Sequence, residues 1–442
     1  MMNKLMVTLV LACSSIFVLG QTEEPAAWRN VFTDLQLQKL IETAVEHNAD
    51  LRNANLNVEQ ADATLRLARL AMLPSLNVGV EGSLSKSKGS ATTKTYSVPL
   101  TMQWEVDLAG RLRGEKRAAL AQYWNTAEME RAVRLQLIAS VAMHYYTLVM
   151  LDEQLRITRQ NIDNARQTVE VMEVMKEVGM QNEAAVSAAR AAHLNIAASE
   201  KSFLQQLKST ENALMVLIGQ KQDSICRSGW EHTDVCIADT TSYSIETLAA
   251  RPDVKAAEYA LKAQMEQVNM ARAAFYPQLT ISASAGWTNL LGEVVNPGQI
   301  LLNAIGSLVQ PLFNKGQNRA NLRIAKAERE QALVAFNQSL LAAGGELSDA
   351  LSSCRLSRNR LDLRRQETEE AERAYDVSKD IMQNSSSTYL EVLAAQQTLI
   401  QAQLEMASDW FDHIQSRINL FKALGGTLSS AKNPLSIQIN HQ

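Results

Sequence analysis

"TYSVPLTMQWEVDLAGRLRGEKRAALAQ", residues 95–122, changes its period halfway. As far as Leu108 the apolar residues Tyr96, Val98, Leu100, Met102, Trp104, Val106 and Leu108 take every second place. Thr95, Ser97, Thr101, Gln103, Glu105 and Asp107 fill the gaps, which is the pattern of a strand with one greasy and one wet face. Beyond Gly110 an Ala, Leu, Arg, Glu and Gln-rich tract of helical spacing runs for about seventy residues without a proline. Such a helix is ~100 Å long at 1.5 Å per residue, wider than a globular domain. It must bury its stripe against similar helices in a coiled-coil-like bundle.

The 442 residues are 46% hydrophobic and 20% charged, with a formal net charge of −4, which gives no electrostatic footprint for nucleic acid. Lys4 followed by "LMVTLVLACSSIFVLG" reads as an export signal, too short for a comfortable membrane span. Two processing routes are open: cleavage after Gly20, or lipidation at Cys13 within "VLAC". No other stretch approaches eighteen uninterrupted apolar residues, which excludes a helical membrane protein. In an oxidising compartment Cys226 and Cys236, in a polar segment between two helical tracts, are expected to close a disulfide. His232 alone is a poor complement to them for zinc.

The chain repeats itself. "DLRNA" and "ARLAMLPSL" near residues 50–76 answer "DVKAA" and "ARAAFYPQL" at an offset of 203, and farther on the offset is 206, carrying Gly110 onto Gly316 and Gly219 onto Gly425. This divides the chain into a signal (1–20), a first repeat (21–219), a linking loop (220–244), a second repeat (245–425) and a tail (426–442). In each repeat a helix of about thirty to forty residues is expected to end at Pro74 or Pro277. Strands 76–86 and 95–108, or 279–288 and about 300–313, follow as hairpins. A long helix, 111–178 or 317–383, then turns into a returning helix, 183–218 or 389–424, stopped by Gly219 or Gly425. Alternation fails near Leu301 and Val309, and Pro99 and Pro311 inside strands suggest bulges. The Gly344–Gly345 pair costs helix propensity, on the order of 1 kcal/mol per glycine, which tight packing or a bend would offset.

One-sided strands of ten to fourteen residues have the length and pattern of outer-membrane barrel strands. Four strands cannot close a barrel, and open edges are not tolerated in lipid, so closure must come from several chains. Two, three or four copies would supply eight, twelve or sixteen strands, and arithmetic does not choose between them.

The segments "WEVDLAGRLRG" (104–114), "RPDVKAAE" (251–258), "QPLFNKGQNRANLRIAKAE" (310–328), "GELSDAL" (345–351) and "TYLEVLAAQQTL" (388–399) resemble the signatures of the TolC-like outer-membrane efflux proteins, nearest the branch serving RND-type multidrug pumps. The resemblance spans about residues 30–425. It implies a mainly helical fold with membrane β structure: a homotrimer whose twelve-stranded barrel in outer-membrane lipid continues into a periplasmic barrel of twelve helices. A periplasmic adaptor and an inner-membrane pump are the implied partners, in a Gram-negative cell. The implied work is that of a passive duct, with neither catalysis nor cofactor.

The residues offer no nucleophile motif, phosphate loop or metal spacing, and His144 and His193 are expected on helix faces without a ligand role. The sixteen methionines read as bundle packing. The duct is expected to close at the turns around Gly179 and Ser385, where Asn182, Asn384, Ser385, Ser386, Ser387 and Thr388 supply polar contacts an adaptor can replace. Ser385 stands where the family usually has glycine, which Gly179 keeps in the first turn. Glu391 matches the first of two pore carboxylates of the family, and Ala394 replaces the second. A ring of like carboxylates attracts cations, and repulsion raises the pKa of its members. Other readings are the exit duct of a type I secretion system, a secreted coiled-coil adhesin or structural rod, and a periplasmic adaptor.

Overall fold

In the computed structural model of the chain, residues 27–86, 93–220, 225–230, 235, 245–288, 299–384 and 389–426 are described. The first repeat holds α1 (Ala27–Val31), α2 (Leu35–His47), α3 (Ala49–Leu70), β1 (Ser75–Val78), β2 (Glu81–Ser85), β3 (Thr93–Val106), α4 (Arg111–Glu177) and α5 (Glu183–Ile218). The second holds α6 (Ile245–Ala249), α7 (Pro252–Ala273), β4 (Gln278–Thr288), β5 (Gln299–Val309), α8 (Gln317–Asn384) and α9 (Tyr389–Ala423).

The single opening helix expected in each repeat is broken in two. Asn48 interrupts the first: it accepts a bond from Leu51 N at 2.9 Å as the N-cap of α3, and its amide donates to Leu217 O at 2.9 Å. Arg251 interrupts the second, because the ring of Pro252 disfavours helical geometry at the preceding residue. At both breaks another helix arrives. Gly219, left-handed at φ 72°, ends α5 against the backbone of His47, and Gly425, at φ 69°, follows α9 against Arg251 and Pro252. Each short helix thus abuts the end of a returning helix.

The long helices lie beside both pieces. Near its start α4 follows α7 through Arg117–Glu266 at 2.9 Å and Asn125 Nδ2 to Ala256 O at 2.7 Å, and near its end it follows α5 through Arg159–Glu200 at 3.1 Å. Likewise α8 meets α7 where Asn318 donates to Ala274 O at 2.8 Å, and α9 where Arg364 meets Asp409 at 2.9 Å. Across the repeats α9 also packs on α4. The main core gathers at the level of the helix breaks, around Phe32, Ile41, Tyr145, Tyr146, Ile218 and Phe421. Among the described residues no atom beyond the helix's own backbone lies within 4 Å of a Cβ added at Gly344 or Gly345, so no packing seen there offsets their cost.

The sheet is antiparallel in the order β1/β2–β3–β4–β5. Pro99 makes no bulge. Val78 pairs with Leu100 and Glu81 with Ser97 in one unbroken register, and Gly79 N donates to Pro99 O at 3.0 Å. The reciprocal bond needs an N–H that proline lacks, so β1 and β2 part there. On its other side Pro99 faces Gly286, where an added Cβ would lie 2.6 Å from Val98 O and 2.8 Å from Pro99 Cα. Pro311 follows the end of β5 at Val309, outside the ladder. We predict that Gly286→Val lowers the thermal midpoint of the protein in detergent, by a strain of about 1–3 kcal/mol. Gly306→Ala, with nothing within 4 Å of its Cβ, should be near neutral; equal midpoints for the two variants would refute the close approach.

Candidate functional site

The registers put Leu76, Val78 and Val80 on one face with Val98, Leu100, Met102, Trp104 and Val106, and continue it through Ile281, Ala283, Ala285 and Trp287 to Leu302, Ala304 and Leu308. Serines and threonines dominate the other face, where Val309, which breaks the alternation in sequence, shares the edge strand with Ser307 and Asn303. From Tyr96 to Val106 the apolar face runs ~34 Å along the strand, roughly 25 Å of height at a tilt of 40–45°. Aromatic rings mark its two levels: Tyr96 and Trp287 at one end, Trp104, Phe275 and Tyr276 toward the helices.

Two junctions turn strand into helix. At the first, Asp107 accepts from Leu112 N at 3.3 Å, Arg113 N at 3.0 Å and Arg113 Nε at 3.0 Å, while Gly110 at φ 80° lets the chain turn. Burial pushes the Asp107 carboxyl up, but the Arg113 and Leu112 bonds outweigh it and leave the group below the usual carboxylate range. Glu105 grips Arg111 at 3.0 and 2.7 Å, and Trp104 Nε1 donates to Met72 O at 3.0 Å, tying β3 to the end of α3. At the second junction Phe313 replaces Asp107. It is 87% exposed beside Leu312, 91% exposed, before the left-handed pair Lys315 and Gly316.

At the far end α4 turns into α5 through Gly179, at φ 78° with no atom within 4 Å of an added Cβ. Asn182 caps α5 by accepting from Ala185 N at 3.0 Å, and Lys176 pairs with Glu183 across the turn. In the second repeat Asn384 ends α8, Glu391 is exposed in the first turn of α9, and Ser385, Ser386, Ser387 and Thr388 lie outside the described residues.

The helix breaks hold residues to which the sequence assigned no role. Arg251 donates to Ala423 O at 3.2 Å, to Asp253 at 3.0 and 2.7 Å and to Glu346 at 2.7 Å, clamping α9, α7 and α8 together. Burial raises the Asp253 carboxyl, and Arg251 more than reverses it. Nearby Tyr145 donates to Asp34, while Ser228 N donates to the Tyr145 hydroxyl and Ser228 Oγ to Asp34, both at 2.9 Å. Burial and Asp34 push that phenol up to about 12. The network fastens the segment after the first repeat to α2 and α4. Within it Cys226 is exposed; Cys236, the other half of the expected bridge, lies outside the described residues, as does Cys13. His144 Nδ1 donates to Ser140 O within its own helix, at 2.8 Å.

The family model for outer membrane efflux protein matches residues 40–220 and 244–426. The toluene efflux pump outer membrane protein TtgF of Pseudomonas putida is 30% identical over 420 residues, 93% of this chain and 88% of TtgF. The probable outer membrane lipoprotein SilC of Salmonella typhimurium is 29% identical over 409 residues, 91% of this chain and 88% of SilC. The cation efflux system protein CusC of Escherichia coli O157:H7 is 30% identical over 406 residues, 91% of this chain and 88% of CusC. A crystal structure of CusC matches with a TM-score of 0.85 at 28% identity, over 92% of this chain and 96% of that one.

The first junction titrates in a predictable direction. A carboxyl held below its unfolded value near ~3.9 contributes stability that is complete above that pH and is lost as pH falls through the folded value. Asp107→Asn should therefore flatten the fall in thermal midpoint below about pH 4, and Asp107→Ala should cost about 0.5–2 kcal/mol as a lost cap at neutral pH. A wild-type acid profile retained in Asp107→Asn would sink the capping role.

Proposed function

This chain belongs to the outer membrane efflux protein family and is an outer-membrane efflux channel; from that premise we propose that three copies close into one passive duct. The observation that carries the proposal is a sheet with one apolar face and both edges, β1/β2 and β5, without a partner strand among the described residues. Unpaired backbone groups are not tolerated in hydrocarbon, so β5 of one copy must meet β1/β2 of the next. The helices support the same closure. Along α8 the exposed Val334, Leu341, Leu356 and Leu363 form an apolar stripe of near-heptad spacing, and Leu67 on α3 with Leu194 and Val216 on α5 offer apolar surface at the other flank. Twelve strands then lead into twelve helical positions.

The duct carries cargo delivered by others. The names of TtgF and CusC attach those relatives to a toluene pump and a cation system, so one duct architecture serves unlike cargoes. We assign selection of cargo to an inner-membrane RND-type pump, joined through a periplasmic adaptor at the turn of Gly179 and Asn182 and its counterpart at 384–388. Closure there rests on polar contacts of roughly 0.5–1.5 kcal/mol each, weak enough to exchange for an adaptor's. An exit duct for type I secretion would share these features, with a different pump. A secreted rod would leave the apolar sheet face without a purpose. The name of SilC, a lipoprotein, favours lipidation at Cys13 over cleavage after Gly20, and the intact mass of the exported protein decides between them.

Cross-linking of the detergent-purified protein is expected to stop at the trimer; a monomer alone, or a ladder ending at two or four, would overturn three-fold closure. In planar bilayers at low salt, where screening is least, Glu391→Gln should reduce cation selectivity. Unchanged selectivity would return Glu391 to a solvated residue at a helix start.

A further inference from the structure

The two junctions between strand and helix differ in charge. From 105 to 120 the first holds Glu105, Asp107 and Glu115 among its cations, and two of its arginines are spent: Arg113 on Asp107 at 3.0 Å and Arg117 on Glu266 of α7 at 2.9 Å. The repeat carries these arginines onto Arg319 and Arg323, but replaces Glu105, Asp107 and Glu115 by Pro311, Phe313 and Asn321. It also turns Ala109 into Lys315 and Leu120 into Lys326. The stretch 311–326 thus carries four cations and no carboxylate. All four are exposed, and among the described residues none of them pairs with a carboxylate. In the three-copy closure α3 of the next copy stands beside α8 as α7 stands beside α4, and the offset of 203 sets Ala63 in the place of Glu266. Asp62 beside it is held by its own Arg66 at 2.7 Å.

The hand of the chain decides which side of the wall these cations occupy. Pro99, on the wet face, turns its carbonyl toward β1/β2 at Gly79 N. For a chain of L-residues running toward the helices, this sets β1/β2 to the right of β3 and β4 to its left, seen from the apolar face. The helices keep that order, with α7 between α4 and α8, so α7 stands to the right of α8. Asn318 and the buried Ala325 mark the side of α8 that faces α7. A right-handed helix running away from the sheet turns about 100° per residue. Arg319, Arg323 and Lys326, spaced i, i+4, i+7, therefore share the side continuous with the apolar face. Each helical Cβ leans toward the N-terminus, which in α8 is the membrane end. Ahead of them stand Leu312 and Phe313, 91% and 87% exposed, just past Val309, where β5 ends.

We propose that this face binds the phosphates of anionic phospholipid in the leaflet on the helical side. Arg319 and Arg323 are the forked contacts, Lys315 and Lys326 flank them, and Leu312 and Phe313 enter the acyl chains. A guanidinium offers a phosphate two parallel N–H bonds, and the exposed apolar pair at the strand end sets the headgroup level beside the first turns of α8. The first junction, its arginines already neutralised, has no such site, so each copy is fastened to headgroups once. The inference rests on the reading of the apolar face as the lipid-facing one.

The test reconstitutes the assembled protein in phosphatidylcholine bilayers doped with spin-labelled phosphatidylglycerol or spin-labelled phosphatidylcholine. At low salt the wild type should restrict phosphatidylglycerol several-fold more strongly, since one cation beside an anionic surface supports about fivefold. The excess should shrink at ~1 M salt. Arg319→Gln/Arg323→Gln should abolish the preference while cross-linking to the same oligomer as wild type. Lys315→Gln/Lys326→Gln should lower it, and covers the case in which the arginine variant does not assemble. Arg373→Gln, an equal kind of charge loss far down α8, should leave it unchanged. No preference in the wild type, or the same preference in wild type and both double variants, would overturn the headgroup site and leave the membrane face standing. Loss of the oligomer in the arginine variant, with full preference in the lysine variant, would assign the arginines to the seam between copies and overturn the site. A wild type that restricts neither lipid would overturn the membrane-facing reading itself.

Discussion

A backbone N–H or C=O left unpaired in hydrocarbon costs several kcal/mol, and the architecture of this chain follows from that one constraint. Among the described residues its sheet has four strand positions and two open edges, an arrangement that a single copy cannot present to a bilayer. In the closure proposed above the partner edge comes from an identical chain, and the helices are then spaced to let identical chains meet. On that closure the length of α4 and α8, far beyond what a globular core requires, would carry each position of the proposed ring well beyond the membrane while leaving apolar residues exposed for a neighbour. The turn at Asp107 transmits one requirement to the other, because the carboxylate that starts α4 sits one residue after β3 ends.

The helix breaks solve a second problem, of length. A long helix alongside two shorter ones needs those two to meet without leaving buried polar ends. At the first meeting Asn48 serves both helices, capping α3 and donating to a terminal carbonyl of α5. At the second, Arg251 reaches a terminal carbonyl of α9 and two carboxylates. Both glycines that close these ends are left-handed, and the Gly219 position admits no Cβ, since it would fall 2.5 Å from His47 O.

Much of this was legible in the sequence, because its signals are local. The switch from period two to helical period across Leu108–Gly110, the repeat, and the stops at Gly219 and Gly425 depend on residues close in the chain. The breaks at Asn48 and Arg251 were not read, although a capping residue and a residue before proline stood there. What makes a break necessary is the arrival of a helix end about 170 residues away. Pro99 was misread as a bulge for a related reason: its meaning lies in Gly79 on one side and Gly286 on the other, neither of which adjoins it in sequence. Of the tip, Gly179 and Asn182 fell in one turn as expected, but Asn182 spends its side-chain oxygen on capping α5. The expected 226–236 bridge has one half, Cys236, outside the described residues, and its other half, Cys226, is exposed.

The repeats share a plan and differ at the three levels where the plan is under load. At the membrane edge the first has an ion-paired, capped junction around Asp107, the second an exposed Leu312–Phe313. At the helix breaks the first is bridged by a neutral amide, the second by a buried guanidinium with three kinds of partner. At the far turns the first carries Gly179 and the Lys176–Glu183 pair, the second a run of serines. A neutral hydrogen bond contributes about 0.5–1.5 kcal/mol and a charged one about twice that, so the α9–α7 meeting resists bending more than the α5–α3 meeting does. In the three-copy duct proposed above, sixfold regularity in the wall would conceal a threefold alternation of stiffness. For the proposed opening at one end with a fixed barrel, that alternation would supply a preferred place to yield, which six equally rigid columns would lack.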